Sequence, residues 1–204
     1  LVAFNEEARI RARVENLLAA DYPAGQLEVL VVTDGSTDGT VAQLRALAHP
    51  RVRVLAREQR SGKSACLNAA IPAARGEIVV LCDARQRFAP HTIPELVANF
   101  SDPALGAVSG ALEIDPAATG VGGGVDLYWR LEKFIRASEG RFSSTIGATG
   151  AVYAIRRDLF QAIPEDTLLD DVVIPMQIAV NHRRRVTFDP TAPKKTVQGA
   201  GAAD

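Results

Sequence analysis

Acidic residues stand where apolar runs stop. In EVLVVTDGSTDGT, residues 28–40, a strand-like run ends at Asp34, and Asp38 follows. In IVVLCDA, residues 78–84, a second run ends at Asp83. A third acidic feature, Asp170-Asp171, lies near the start of LLDDVVIPMQIAV, residues 168–180. A carboxylate at a strand end can accept from a nucleobase or ribose, or ligate a divalent cation. The same residues suit ordinary turns and helix starts: DGSTDG is turn chemistry in any protein, and acids are favoured at a helix N-terminus. One cap needs one acid, however. The second of the 170–171 pair is available to face a cleft, where partial burial would suit it to general-base work.

Between these acids lies RSGKSACLN, residues 60–68. Its GKS resembles the end of a phosphate-binding loop, but the full pattern needs a glycine five positions before Gly62, and Arg57 is there. A triphosphatase reading fails on that spacing. Arg60 and Lys63 can still neutralise a diphosphate, with Gly62 allowing close backbone approach; the alternative is a surface lysine at a helix start. The dinucleotide fingerprint also fails, because GVGGGV at 120–125 ends in valine and follows no strand. No G-x-S-x-G occurs, and His49, His91 and His182 sit in no recognisable motif.

Strands and helices must alternate to bring these groups together. Residues 1–4 read as a short strand, and Asn5 offers a side-chain cap to a helix carrying Ile10, Val14, Leu17 and Leu18. Leu27–Val32 is nearly continuous β-former, as expected of a covered parallel strand. Then come a helix with Val41, Leu44 and Leu47, a strand at 52–56, a helix at about 62–74 and a strand at 78–82. A helix with Ile93, Leu96, Val97 and Phe100 precedes a strand at 107–114. This order predicts right-handed βαβ units and an α/β fold. Beyond Asp115 the pattern predicts a loop at 116–124, a helix with Leu127, Leu131, Phe134 and Ile135, a glycine-rich turn into a strand at 147–155, a helix after 170, and a last strand at 185–189.

The 204 residues suit one sizeable domain. With a net charge of -1, no basic field invites nucleic acid. Arg183–Arg185 is the one dense positive run, either a solvated helix end or a patch facing membrane or substrate. Two cysteines and three histidines support neither a disulfide scaffold nor a structural zinc site. No apolar run approaches the ~20 residues that span a bilayer. The opening at Leu1, in the tail of a strand, and the closing GAGAAD lead us to expect part of a longer protein, with 191–204 as a disordered tail.

Taken in order, FNEE (4–7), VVTDGSTDGT (31–40), GKSACLN (62–68), LCDA (81–84), GATGAVYAIRR (147–157) and LLDD (168–171) resemble glycosyltransferase family 2, the inverting nucleotide-sugar transferases of GT-A fold. YWRLEKFIR, residues 128–136, resembles members that make polysaccharides or glycolipids at membranes. The resemblance implies a single Rossmann-like GT-A domain over 1–190, a mostly parallel mixed sheet flanked by helices. Its nucleotide-binding part would span about 1–115 and its acceptor part about 116–190. It implies a nucleotide pocket with Ala3, Asn5 and Glu7, a base contact from Asp34, and Lys63 near the base or phosphates. Asp83 would be the first residue of a D-x-D metal motif for Mg2+ or Mn2+. Asp171 would be the catalytic base, with Asp170 beside it in the glutamate position. Gly147, Ala148, Thr149 and Gly150 would shape the acceptor side. The donor would be a nucleotide sugar, expected to be UDP-linked, and the acceptor a glycan or lipid-linked sugar. The whole protein would be anchored at the cytoplasmic face of a membrane.

Two features depart from that pattern. The metal motif reads Asp83-Ala84-Arg85, with arginine where a second acid is usual, so Arg85 could itself neutralise phosphate. No Q-x-x-R-W follows, so nothing argues for processivity. A rival reading is therefore an inactive nucleotide-binding or scaffolding domain of the same fold. A nucleotidyltransferase is disfavoured because FNEEARIRAR lacks a glycine-rich triphosphate loop.

Overall fold

The computed structural model describes residues 1–113 and 152–196, with side chains over 1–110 and 152–189. The elements run β1 (Val2–Ala3), α1 (Glu7–Leu18), β2 (Val29–Asp34), α2 (Thr40–Ala46), β3 (Val52–Arg57), α3 (Lys63–Ala73), β4 (Ile78–Cys82), β5 (Gln86–Phe88), α4 (Thr92–Ala98), β6 (Leu105–Glu113), β7 (Val152–Arg156), α5 (Asp170–His182) and β8 (Arg185–Thr196). The expected loop at 116–124, the helix with Leu127 and the turn Gly147–Gly150 lie outside the described residues.

The strands form a mixed sheet in two hydrogen-bonded parts, β1-β2-β3 and β4-β7-β6-β8-β5. The first part is parallel, as its βαβ connections require. In the second, β6 and β8 are parallel, while β4 and β6 run antiparallel to β7, and β5 antiparallel to β8. Parallel ladders carry the larger share of paired residues. This is the α/β, Rossmann-like architecture expected of a GT-A domain.

Helices anchor the sheet through the faces that their periodicity marks. On α1, Ile10, Arg13, Val14 and Leu17 are buried. Burial of the three apolar members, at ~1.5–3 kcal/mol each, offsets the cost of carrying an arginine on the same face. They join a core with Val29, Val31, Leu96, Val108 and Ala154. A second cluster packs Leu67 and Ile71 of α3, Ile174 and Ile178 of α5, and Tyr153 and Ile155 of β7. Among the described residues no helix is long and apolar enough to cross a membrane.

The structure corrects two local expectations and adds one strand. Asn5 does not cap α1: the flanking residue is Glu6, with no side-chain cap bond of its own. The amides entering α1 are served from the β2–α2 loop and the start of α2 instead, as Glu6 N donates to Thr40 Oγ1 (2.9 Å) and Glu7 N to Asp38 Oδ2 (3.1 Å). β8 continues through 191–196, part of the expected tail, and pairs with β5 and β6. β5 itself carries no long apolar run and was not anticipated.

A cavity of about 530 Å3 separates β2 from β4, lined along much of its length by apolar residues such as Val29, Leu30, Ile71 and Val79. Lys63, Asp83, Tyr153 and Asp170 also line it. Of the groups able to do chemistry, these four line it.

Candidate active site

Four elements meet at this cluster. Asp83 follows β4, Lys63 begins α3, Tyr153 lies on β7, and Asp170 begins α5. Lys63 Nζ lies 2.9 Å from Asp170 Oδ1 and 3.8 Å from Asp83 Oδ1. Tyr153 Oη donates to Asp170 Oδ2 at 3.2 Å. Asp170 is only 3% exposed. Its carboxylate is thus held between an ammonium and a phenol, as a buried charge must be.

The electrostatics follow from that packing. Burial works against the Lys63 charge, but Asp170, then Asp83 and Asp171, more than offset it, so the ammonium is held above its ordinary range. Burial, reinforced by Asp170, keeps the Tyr153 phenol protonated. Asp171, next to Asp170, is less buried and close enough for its charge to act on Lys63 and Tyr153. Of the pair, Asp170 is the braced member and Asp171 the one with better access to solvent.

Asp34 serves the same cluster from a different position. It is 4% exposed, and its carboxylate accepts from Ser61 N (2.7 Å), Ser61 Oγ (3.0 Å) and Gly62 N (2.9 Å). These residues immediately precede Lys63. Burial opposes ionisation of Asp34, but the donors of Ser61 and Gly62 outweigh it and hold the carboxyl below its ordinary range. Gly35, at φ 66°, lies so close to the 59–60 backbone that a Cβ there would stand 2.5 Å from Arg60 N. The β2–α2 and β3–α3 loops are clasped together, which fixes where Lys63 starts. The neighbouring Cys66 thiol is pushed up to about 11 by burial and by Asp34, and both cysteines are free.

The remaining predicted residues fall into two groups. Asn5 exchanges bonds with the loop after β2: its backbone N–H donates to Ser36 Oγ (3.1 Å), and its Oδ1 accepts from Thr37 N (2.9 Å). Glu7 Oε2 accepts from Gly39 N (3.0 Å), and Ala3 is buried on β1 opposite Thr33. These three shape the rim where β1 and β2 end. Arg60 stacks on Phe4, its guanidinium carbon 4.1 Å from the ring centre. Arg85 pairs with Glu6 Oε1 at 3.2 Å. The Arg183–Arg185 run is tied to the 102–103 turn, through Arg184 to Pro103 O (2.8 Å) and Arg185 to Asp102 (3.7 Å). Gly147–Gly150 lie outside the described residues.

Tyr153 and Arg13 were not anticipated. An aromatic on a buried strand reads simply as core. The signal for Arg13 is a charge on the apolar stripe Ile10–Val14–Leu17.

One divalent cation would find a hard oxygen ligand in Asp83, whose side chain is 41% exposed. Mg2+-type ions commonly use one or two carboxylates and complete their shell with substrate phosphates and water. The donor set fits that mode. Among the described residues there is no group of three or more His, Cys, Asp or Glu to form an all-protein cage.

The chain is similar to several known proteins. Residues 1–163 match the model of Glycosyl transferase family 2. The chain is 38% identical over 112 residues to a beta-monoglucosyldiacylglycerol synthase from Nostoc sp., covering 53% of this chain and 24% of that protein. It is 30% identical over 159 residues to an N-acetylglucosaminyltransferase from Rhizobium leguminosarum bv. viciae, covering 76% and 37%. Among solved structures it is similar to the mannosyltransferase PcManGT from Pyrobaculum calidifontis in complex with GDP-Man and Mn2+. That likeness has a TM-score of 0.82 and 31% identity, over 98% of this chain and 56% of the other. The chain therefore spans about a quarter to just over a half of the length of these relatives. With the family model matching most of its length and the fold and crevice as described, the chain belongs to glycosyl transferase family 2.

Proposed function

We propose that this domain is an inverting glycosyltransferase that moves a sugar from a nucleoside diphosphate sugar to a glycan or lipid-linked acceptor. The observation that carries the reading is the convergence of Asp83, Lys63 and Asp170 on one crevice, with Asp171 next in the chain and near enough for its charge to act on Lys63. A diphosphate needs positive charge and a cation ligand, and an acceptor hydroxyl needs a base; this crevice offers all three.

Asp83 would hold a Mg2+ or Mn2+ ion, which when bound helps to neutralise charge on the departing diphosphate. The Lys63 ammonium lies beside Asp83 and supplies fixed positive charge to the same phosphates. Asp34 acts through the loop it anchors, and in this reading the edge of its carboxylate also borders the base. Ala3, Asn5, Glu7, Arg60 and Arg85 line the donor side. Asp171 takes the proton of the acceptor hydroxyl as its oxygen attacks the anomeric carbon. The bond from that carbon to the diphosphate oxygen breaks, its electron pair leaving with the nucleoside diphosphate. A single displacement from the opposite face inverts the centre. Asp170, fixed by Lys63 and Tyr153, orients the start of α5 and so the base. Gly147–Gly150, outside the described residues, keep the acceptor-side role that the family resemblance implies.

The donor is read as UDP-linked; the GDP-Man complex of PcManGT makes a guanosine donor the comparison to run. The acceptor is met at the cytoplasmic face of a membrane that holds the whole protein, a reading supported by the likeness to the beta-monoglucosyldiacylglycerol synthase. The second reading, an inactive nucleotide-binding domain, is favoured by Arg85, which replaces a metal-motif acid and pairs with Glu6. A panel of UDP- and GDP-sugars with Mn2+ separates the two. Release of nucleoside diphosphate that depends on Asp171 supports the transferase. Tight binding with no release from any donor supports the inactive domain.

A further inference from the structure

We propose that Arg13 is a positioning residue that holds Asp83 in its working place. Arg13 sits on the buried face of α1 and is 2% exposed. Its Nε donates to the backbone carbonyl of Asp83 at 3.0 Å. Its Nη1 donates to Asn16 Oδ1 at 2.8 Å, and its guanidinium lies 4.2 Å from the centre of the Phe88 ring. Asn16, one turn along α1, grips Phe88 by both backbone groups: Phe88 N donates to Asn16 Oδ1 (2.9 Å), and Asn16 Nδ2 donates to Phe88 O (3.0 Å). At the near end of α1, Glu6 takes Arg85. The segment 83–88 is therefore stitched to one helix at its start, middle and end.

A buried arginine is a costly way to fill a core position. Leucine or methionine would pack α1 against Phe88 without placing a charge in the interior. What only the planar fork supplies is simultaneous contact with a carbonyl, an amide oxygen and an aromatic face, all at fixed angles. One donor, Nη2, is buried with no hydrogen-bond partner among the described residues, so full satisfaction of its own donors is not what places the side chain there. Its geometry instead fixes the backbone of Asp83, whose carboxylate has no acidic partner in the motif, Arg85 standing at the second position. With a single carboxylate to present, the angle of that residue carries more of the binding than it would in an acid pair.

The proposal rests on the donor reading of Asp83, and the test separates the two. Binding of UDP and of GDP in the presence of Mn2+ is measured by calorimetry for the unaltered chain, Arg13→Met, Arg13→Lys and Val14→Ala. Amide hydrogen exchange over 83–88 is followed in the same proteins. Val14 is fully buried on the neighbouring position and serves as the control for lost stability alone. Outer contacts to a metal ligand are worth about 10–100-fold in affinity. Both Arg13 variants are expected to weaken Mn2+-dependent binding at least about tenfold and to speed exchange at 83–88. Val14→Ala should do neither, even at an equal loss of melting temperature. Arg13→Lys with unaltered affinity and exchange would overturn the proposal, since charge alone would then suffice. Equal weakening in Val14→Ala would overturn it too. If the unaltered chain binds neither nucleotide, the donor reading fails; the exchange comparison then still decides whether Arg13 holds the segment. If Arg13→Met does not fold, the lysine variant decides.

Discussion

Lys63 and Asp170, 107 positions apart in the chain, meet with Nζ 2.9 Å from Oδ1, and the carboxylate of that pair is almost wholly buried. Removing the ammonium leaves the buried carboxylate, among the described residues, with the Tyr153 phenol as its side-chain donor. Lys63→Met is expected to destabilise the domain by about 1–3 kcal/mol, as for an unsatisfied buried acceptor; Lys63 is partly exposed, so water can reach the site and limit the loss. Chemical denaturation measures it. Adding Asp170→Asn to Lys63→Met should return part of the loss, because the charge that needed a partner has gone.

Asp34 makes the domain acid-sensitive in a definite direction. Its carboxyl is held below the ordinary 3.8, so its contribution to stability is fully present above that value and is lost as pH falls through the lower folded-state value. Asp34→Asn should therefore be less stable than the parent near neutral pH, with the gap closing below about pH 4. Asp38 is shifted the same way but is common to both proteins, so it cancels in the difference. A gap that stays constant from pH 7 to pH 2 would refute the assignment.

Gly35 tests the clasp between the two loops. Alanine there would combine an unfavourable positive φ with a Cβ 2.5 Å from Arg60 N. A cost of about 1–3 kcal/mol is expected from the backbone strain alone. Because the displaced segment leads into Lys63, nucleotide affinity should fall as well. Calorimetric melting and nucleotide titration of Gly35→Ala check both parts.

Metal removal distinguishes the roles of Asp83 and Arg85. Chelation by EDTA should abolish donor turnover, and Mn2+ should restore it. Asp83→Ala should lose the response to added metal, whereas Arg85→Ala, which frees Glu6 from its ion pair, should keep it. Full activity in excess EDTA would instead assign phosphate neutralisation to arginine.

Much of this architecture is legible in the residue pattern. The apolar run at 78–82 is β4 itself, and the stripe through Ile10, Val14 and Leu17 is the buried face of α1, because periodicity follows directly from burial. The acids at 83 and 170–171 could be singled out because charges at the ends of buried runs conflict with the pattern around them. What could not be read is which distant groups satisfy one another. Asn5 looks like a helix cap in isolation, yet its partners are Ser36 and Thr37; the amides of α1 go to Asp38 and Thr40, over thirty residues away. Tyr153 looks like core until Asp170 is seen to accept from it. β8 reads as a short strand at 185–189 because Pro190 and Pro193 break the local pattern, but pairing with β5 and β6 carries it on to Thr196.

The account turns on Asp171 as the group that takes the acceptor proton, and Asp171→Asn tests it most directly. Proton NMR of donor, acceptor and product, with nucleotide affinity measured alongside, gives turnover and anomeric configuration together. The expected result is an inverted product from the unaltered enzyme, and from Asp171→Asn wild-type donor affinity with transfer abolished. Wild-type transfer by Asp171→Asn, or a product that keeps the donor's anomeric configuration, would contradict the account.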